Sequence, residues 1–181
     1  MAHDVRGVRP YHAPHYDLGA MPDGRGCSLD LLAAEEAGAL GAAFAAMNPW
    51  AAYGIPAARL AGFFAGAEEA CSRRAIRLDG RLAGIVVMRD PWLHGPYLQF
   101  LGLLPGCQGL GLGAAVLEWI VREAPEGTRN LWLCVSAINT RARSLYERQG
   151  YALAATLPAL SADHMDELLM RRPLVPRPPG L

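Results

Sequence analysis

Lysine is absent from this 181-residue sequence, in which all 17 basic side chains are arginine. No lysine can therefore form a Schiff base with a carbonyl substrate or bind a nucleotide phosphate as in a Walker motif. Because 17 acidic residues balance the arginines, the net charge is zero, and no global basic field attracts nucleic acid or an anionic membrane. We expect neither of them as a partner.

The sequence also lacks paired cysteines and long apolar segments. Its cysteines lie far apart and form no C-x-x-C motif, so we expect neither a zinc knuckle nor a disulfide framework (Cys27, Cys71, Cys107 and Cys134). A metal site at His12 and His15, with His3 and Asp17 as further ligands, is an alternative, but these residues lie in a Pro/Gly-rich segment and we predict no metal. No signal peptide or membrane span is predicted, and the expected location is the cytoplasm.

The composition favours a single compact domain. Hydrophobic residues make up 52% of the chain and charged residues 19%, which is enough apolar material for a sizeable core. Residues 1–26 contain several prolines and glycines and predict a loose extension or a strap across the surface. Residues 27–173 form the predicted domain, and the Pro-rich residues 174–181 form a tail.

Apolar spacing predicts two helices, then a hairpin, and then alternating strands and helices. The hairpin turn is Asp79-Gly80, a dipeptide that readily adopts positive φ angles. The predicted helices are 31–47, 57–70, 112–124 and 140–149; the predicted strands are 73–78, 81–89, 97–103, 131–135, 151–157 and 166–172, with a loop over 91–96. This order gives a mixed α/β (α+β) fold with helices packed around one central sheet.

Glycines cluster between a predicted strand and a predicted helix, where Gln108 precedes Gly109, Gly111 and Gly113. The free N–H groups of a helix N-terminus could bind a pyrophosphate there without any lysine. A turn needed only for tight helix–sheet packing is the structural alternative. Gly109-x-Gly111-x-x-Ala114 also fits a dinucleotide-binding fingerprint, but the acidic residue expected ~20 positions later is missing, so an oxidoreductase is a remote alternative.

A second block of residues follows the glycine cluster at a characteristic separation. Gln108 to Gly113 match the phosphate-binding pattern Q/R-x-x-G-x-G/A, and a strand ending at Val135 precedes Asn139, Ala142, Tyr146 and Gly150-Tyr151. The two blocks together resemble the GNAT superfamily of acyl-CoA-dependent N-acetyltransferases over about residues 70–172. The resemblance implies a mostly antiparallel sheet in which one pair of parallel strands splays to form the cofactor cleft.

The resemblance also implies a set of acetyl-CoA contacts. Main-chain groups of Leu101, Leu103 and Leu104 would pair with the pantetheine amides, and a bulge near residues 101–103 would polarise the thioester carbonyl. The pyrophosphate would bind along Gln108, Gly109, Leu110, Gly111, Leu112, Gly113 and Ala114. Leu110 replaces the arginine or lysine of many relatives, which removes one side-chain phosphate contact. Asn139 and Tyr146 would lie near the thioester.

Tyr146 can also be placed from the residues themselves, because it shares one helical face with Ala142, Leu145 and Gln149. It therefore points inward, either as a packed aromatic ring or as a hydrogen-bond donor to the departing thiolate. Full proton transfer from a phenol to such a thiol is uphill by roughly 2 kcal/mol, so a hydrogen bond is the interpretation we adopt.

No general base is evident. Gln99 in the predicted strand cannot titrate, and Asp90 and His94 in the preceding loop are the nearest titratable candidates. Trp50 and Tyr53 are candidates to line an acceptor pocket. The sequence thus predicts direct acetyl transfer from acetyl-CoA to a primary amine of a small molecule or peptide, with a homodimer as a candidate assembly. A non-catalytic acyl-CoA-binding regulator is the alternative from another class.

Overall fold

The computed structural model describes residues 9–174. Its core is an eight-stranded sheet of order β1-β2-β3-β4-β5-β6-β8-β7, and every neighbouring pair is antiparallel except β5–β6. The elements are β1 (His15–Ala20), β2 (Gly26–Leu31), α1 (Ala34–Ala45), a 3-10 helix (Trp50–Tyr53), α2 (Ala57–Phe64), β3 (Cys71–Leu78), β4 (Arg81–Trp92), β5 (Gly95–Leu103), α3 (Leu112–Arg122), β6 (Asn130–Ser136), α4 (Thr140–Arg148), β7 (Ala152–Ala162) and β8 (Met165–Pro173). The predicted fold class is confirmed.

Helices cover both faces of the sheet and enclose one core on each face. On the face that we call the α3 face, α3 and α4 pack with Trp119, Leu117 and Ile120 fully buried. On the opposite face, which we call the α1 face, α1 and α2 bury Phe44 and Phe64. Burial of each such side chain contributes about 1.5–3 kcal/mol, so both layers hold the central strands in place.

The N-terminal segment differs from the loose extension or surface strap that its composition predicts. His15–Ala20 is an edge strand paired with β2, and Tyr11 is 0% exposed, with its hydroxyl donating to the carbonyl of Ile120 at 2.9 Å. Strand β2 also occupies the position just before α1, which begins at Ala34 rather than at residue 31. A six-residue strand beside glycine and proline carries too short an alternation to stand out, and its pairing with β3 stabilises it. The predicted tail over residues 175–181 lies outside the described residues.

Three other predictions are corrected, two at the ends of elements and one inside a strand. Helix α2 ends at Phe64 instead of residue 70. The predicted loop over residues 91–96 is instead a hairpin, in which β4 ends at Trp92 and β5 begins at Gly95. Asp79 and Gly80 do adopt the positive φ angles, 49° and 73°, of the predicted hairpin turn. The bulge of β5 lies at Gln99, because Val87 pairs with Phe100 and Met88 with Leu98, while Gly102 stays in register.

One feature of the sheet positions the candidate site. The parallel strands β5 and β6 pair only at Tyr97–Trp132 and Leu98–Leu133, and they separate from there on. We call the space between residues 99–103 of β5 and residues 134–136 of β6 the gap. Bulge and separation begin at the same residue, Gln99, so the strand bends where it leaves its neighbour. Among residues 9–174, no helix is both long and apolar enough to cross a membrane.

Candidate active site

The gap leaves main-chain groups of β5 without a strand partner on one side. The amide of Leu104 donates to the carbonyl of Ala83 on β4 at 2.8 Å. Because successive residues of a strand direct their N–H and C=O groups to alternate sides, Leu101 and Leu103 direct theirs into the gap. Leu104 is therefore corrected as a candidate pantetheine contact, while the pairing of Leu101 and Leu103 with pantetheine stays a prediction.

The glycine cluster forms the turn into α3. Gly109 and Gly111 have φ angles of 80° and 89°, which side chains other than glycine rarely adopt, and Gly111 is the N-cap of α3. No side chain of the described residues caps this helix, so the first-turn amides of Leu112, Gly113 and Ala114 can bind a ligand. The side chains of Leu110 and Leu112 pack into the α3-face core, so these two residues could contribute only through the main chain.

Gln108 and Arg141 connect the two sides of the glycine turn. The Gln108 amide donates to the Leu103 carbonyl at 3.3 Å, and its oxygen accepts from the Arg141 guanidinium at 3.1 Å. The guanidinium lies beside Gly109, within 3.5 Å of where a Cβ on that glycine would be. Arg141 thus places a cationic side chain next to the glycine turn.

Helix α4 closes the site with Asn139 and Tyr146. The Asn139 side chain caps the helix by accepting from the Ala142 amide at 3.2 Å. Tyr146 is buried, and burial raises the pKa of its hydroxyl to about 12. The hydroxyl makes no hydrogen bond to any residue between 9 and 174, so it can donate one to a ligand.

These groups surround one cavity of about 590 Å³, within the usual range for a small-molecule site. The cavity begins at the glycine turn on the α3 face and extends to Trp50, which stacks on Phe100 on the α1 face at a centroid distance of 4.8 Å. It therefore reaches both faces of the sheet and passes Leu101 and Leu103, which border the gap. The predicted site residues that line it are Trp50, Leu101, Leu103, Gln108, Gly109, Gly111, Gly113, Ala114, Asn139 and Tyr146.

Three candidates for the base or the acceptor site lie elsewhere or are already bonded. His94 lines a different cavity, with Arg129 and Arg171, and Asp90 precedes the start of β5, whose opposite end borders the gap. Each residue of a strand adds roughly 3.3 Å, so the length of strand between His94 and Leu101 puts His94 too far from the gap for a direct proton transfer. The Gln99 oxygen accepts from Arg89 at 3.3 Å and from the Cys71 thiol at 3.5 Å.

Tyr53 does not line the cavity, but it is hydrogen-bonded to a residue that the sequence did not point to. Its hydroxyl donates to the carboxylate of Glu167, which is 6% exposed on β8. Tyr97 and Cys134 lie close enough for the Glu167 charge to raise the pKa of each, beyond the larger effect of burial. We call Tyr53, Tyr97, Cys134 and Glu167 the Glu167 cluster. Arg141 was missed as well, and its position two residues after Asn139 was the only available signal.

The model of the acetyltransferase (GNAT) family matches residues 40–151, a range that includes the glycine turn, the gap and α4. The chain belongs to the GNAT family. It is an N-acetyltransferase of that family, and the doubly wound dinucleotide-binding sheet weighed as an alternative is excluded, because β5–β6 is the single parallel pair in the described sheet.

Relatives of this GNAT protein agree with that assignment. An uncharacterized N-acetyltransferase found in Mycobacterium tuberculosis and in Mycobacterium bovis is 34% identical over 108 residues, covering 57% of this chain and 69% of the relative. The crystal structure of a putative phosphinothricin N-acetyltransferase is 20% identical, with a TM-score of 0.65, over 82% of this chain and 99% of that one. At this identity, the second likeness shows the fold alone.

One similar structure contains the cofactor that the fold suggests. A GNAT acetyltransferase from Elizabethkingia anophelis, solved with acetyl-CoA bound, has a TM-score of 0.51 at 13% identity, over 58% of this chain and 77% of that one. GNAT proteins use acetyl-CoA as the acetyl donor. Which residues of the present chain bind it must be argued from its own cavity.

Proposed function

We propose that this GNAT protein transfers an acetyl group from acetyl-CoA to a primary amine of a small molecule or peptide by direct attack, with both substrates bound at once. The observation that carries the proposal is the continuous cavity, which joins the glycine turn on the α3 face to Trp50 on the α1 face. Two substrates can therefore enter from opposite faces and meet in the gap. Such positioning alone can account for a large part of an enzyme's rate.

The donor side of the cavity fits coenzyme A. Uncapped amides at the start of α3 and the Arg141 guanidinium converge on one end of the cavity, and both bind anionic oxygens well. From there, the main-chain groups of Leu101 and Leu103 lie along the gap to pair with the amides of an extended arm. Acetyl-CoA supplies the acetyl group as a thioester when bound. Gly109 and Gly111 let the backbone approach the diphosphate closely.

Tyr146 supports departure of the thiol. Since burial raises its pKa to about 12, the phenol stays protonated at neutral pH and acts as a hydrogen-bond donor rather than as an acid. A donor to a developing thiolate contributes roughly 1.5–3 kcal/mol. Asn139 positions Tyr146 indirectly, because it caps the helix that carries the tyrosine.

A two-part experiment tests this function. Calorimetry with acetyl-CoA should show saturable binding, and a thiol-release assay over amino acids, polyamines, aminoglycosides and short peptides should identify an amine that increases free coenzyme A. Binding without thiol release for every amine would favour the non-catalytic acyl-CoA binder. No detectable heat on addition of acetyl-CoA would overturn both interpretations.

Two further properties belong to the proposal. We place the protein in the cytoplasm, because all four cysteines are free and such thiols persist in a reducing compartment. A homodimer is the proposed assembly, without an assigned interface, and light scattering of the purified protein measures it directly.

A further inference from the structure

The residues that line the cavity include no aspartate or glutamate within the described part of the chain, although the amine must lose a proton before it attacks. Glu167 supplies a carboxylate close by. It pairs in register with Ser136, the last residue of β6, so it lies beside the wall of the gap. Its neighbour Leu168 is buried in the α3-face core, and Glu167 therefore points to the α1 face.

The surroundings of Glu167 favour a carboxylate that can exchange a proton. Burial raises its pKa above the ordinary value, and the hydrogen bond from Tyr53 opposes that rise in part. The titratable groups that face it are Tyr53 from the 3-10 helix, Tyr97 from β5 and Cys134 from β6. His164, in the turn before β8, lies further out and contacts the Ala52 carbonyl at 3.2 Å.

The two faces of the sheet have different tasks if the donor binds as proposed. Coenzyme A would occupy the α3 face, with its thioester in the gap, so the amine has to approach from the α1 face. Trp50 opens the cavity on that face, and Tyr53, at the other end of the same 3-10 helix, reaches Glu167. The Glu167 cluster thus lies on the side from which the amine arrives.

We propose that Glu167 is the general base of this acetyltransferase and takes a proton from the ammonium group of the acceptor, while Tyr53 holds the carboxylate in position. This assignment rests on the proposed function. The proposal requires the bound amine to extend past Trp50 to the Glu167 carboxylate, which does not itself line the cavity. Glu167 would then be a catalytic residue, whereas Tyr53 would be a positioning residue. Positioned general bases typically accelerate reactions by roughly 10²–10⁴-fold.

The proposed step balances in protons and bonds. The Glu167 carboxylate accepts one proton from the ammonium, which leaves a neutral amine with a free electron pair. A C–N bond forms between that amine and the acetyl carbon while the C–S bond of the thioester breaks. The second nitrogen proton ends on the coenzyme sulfur, the products are an amide and a thiol, and Glu167 releases its proton to water.

Other members of the cluster do not fit this role. Burial raises the pKa of the Cys134 thiol and of the Tyr53 and Tyr97 hydroxyls, and the proximity of Glu167 reinforces the shift for each of them. All three stay protonated at neutral pH and cannot accept a proton. Glu167 is the one carboxylic acid in the cluster, and therefore the member whose ionised form can accept a proton.

The main test compares Glu167→Gln with wild type across pH 6–10, using the amine with the highest kcat/KM in the thiol-release screen. At pH 7 we expect kcat/KM to fall roughly 100-fold. In the plot of kcat/KM against pH, the acidic limb, which is the decline toward acidic pH that protonation of Glu167 causes in wild type, should disappear. The difference should narrow toward pH 10, where the amine loses its proton in solution. Glu118→Gln, on the exposed surface of α3, is the matched control and should behave as wild type.

The variant Tyr53→Phe tests whether the Tyr53 hydroxyl positions the Glu167 carboxylate for catalysis or only stabilises the fold. Loss of the Tyr53 hydrogen bond removes a stabilising donor from the carboxylate, so the pKa of Glu167 rises further and the acidic limb moves to higher pH. Affinity for acetyl-CoA should not change in either variant, because both positions lie outside the donor side. A uniform rate loss at every pH in Glu167→Gln would overturn the assignment.

A readout without any ligand completes the test. A raised pKa in the folded state means that wild type loses stability as pH rises from the ordinary glutamate value through the raised one, while Glu167→Gln does not. Melting temperatures of the unliganded proteins should therefore diverge as the pH rises above the ordinary glutamate value, and parallel curves would contradict the assignment. Absence of thiol release from wild type with every amine would instead overturn the proposed function, and this assignment with it.

Discussion

The two faces of the sheet at the gap are built in different ways. On the α3 face, the donor side comes mainly from one continuous segment, residues 108–114, whose glycines and helix N-terminus follow each other in the sequence. On the α1 face, the members of the Glu167 cluster come from the 3-10 helix, β5, β6 and β8. A site built from one continuous segment can be recognised as a motif in the sequence. A site whose residues are brought together by strand pairing has no such motif, because its residues are far apart in the chain.

The two faces also use different chemistry. The donor side offers main-chain amides and arginine guanidinium groups at an open cavity, which suits a polyanion shared by all reactions of this type. The α1 face offers a buried carboxyl, bonded to a tyrosine, whose proton affinity depends on exclusion of water. We expect donor binding to tolerate changes on the α1 face and acceptor chemistry to tolerate changes at the glycine turn.

Arg141→Gln should give the largest effect on the donor side. A charge-assisted hydrogen bond contributes about 1.5–3 kcal/mol, and 1.4 kcal/mol corresponds to tenfold, so the dissociation constant for coenzyme A should rise by roughly 10- to 100-fold. Calorimetry measures it directly. The kcat at saturating acetyl-CoA should change little, because the α1 face is untouched.

Arg143→Gln is the control for that change, since Arg143 lies two residues further along α4 and bonds Glu147 on the surface at 2.8 Å. It should bind coenzyme A as wild type does. An equal weakening in both variants would mean that net charge, and not the position of Arg141, determines affinity. The separation of the two faces would then lose its simplest support.

Tyr146→Phe tests the boundary between the two faces. We expect kcat to fall by roughly tenfold, since one hydrogen bond to the leaving thiolate is lost, with unchanged affinity for coenzyme A. Because its pKa is raised to about 12, wild type should show no limb of its rate profile near pH 10 from this group. Tyr151→Phe is the matched control: its ring lies 6.1 Å from that of Tyr146, and its buried hydroxyl has no hydrogen-bond partner among residues 9–174. Equal losses in both variants would contradict a specific role for Tyr146.

The same contrast explains how far the sequence could predict the molecule. The glycine turn, the inward face of α4 and the Asp79-Gly80 hairpin were predictable, because each depends on residues close together in the chain. The strand β1 was not, because Tyr16 and its neighbours are held by pairing with β2 and by the Trp119 ring, 5.1 Å away between centroids. Long-range contacts of this kind override weak local preference.

The proton acceptor escaped prediction for a related reason. Asp90 and His94 are close to β5 in the sequence. They lie at the N-terminal end of β5, however, and the extended strand separates them from the gap at its other end. Glu167 is some 70 residues from Gln99 in the chain, and only the pairing of β8 with β6 brings it to the gap. The one signal available was the position of Glu167 directly before the apolar residues Leu168, Leu169 and Met170, since a glutamate is rarely buried without a partner.

Gly109→Ala should give the smallest effect that still distinguishes the two faces. At a φ of 80° an alanine costs about 1–2 kcal/mol, and relief of that strain moves the amides that face the diphosphate. Affinity for coenzyme A should fall by about fivefold, which corresponds to roughly 1 kcal/mol. Gly106→Ala imposes the same strain at a φ of 81° in the same loop, outside the cavity lining, and no atom of the described residues lies within 4 Å of the added carbon. It should lower the melting temperature similarly and leave affinity unchanged, so equal affinity losses would show that loop rigidity, and not main-chain contact at Gly109, governs binding of the coenzyme.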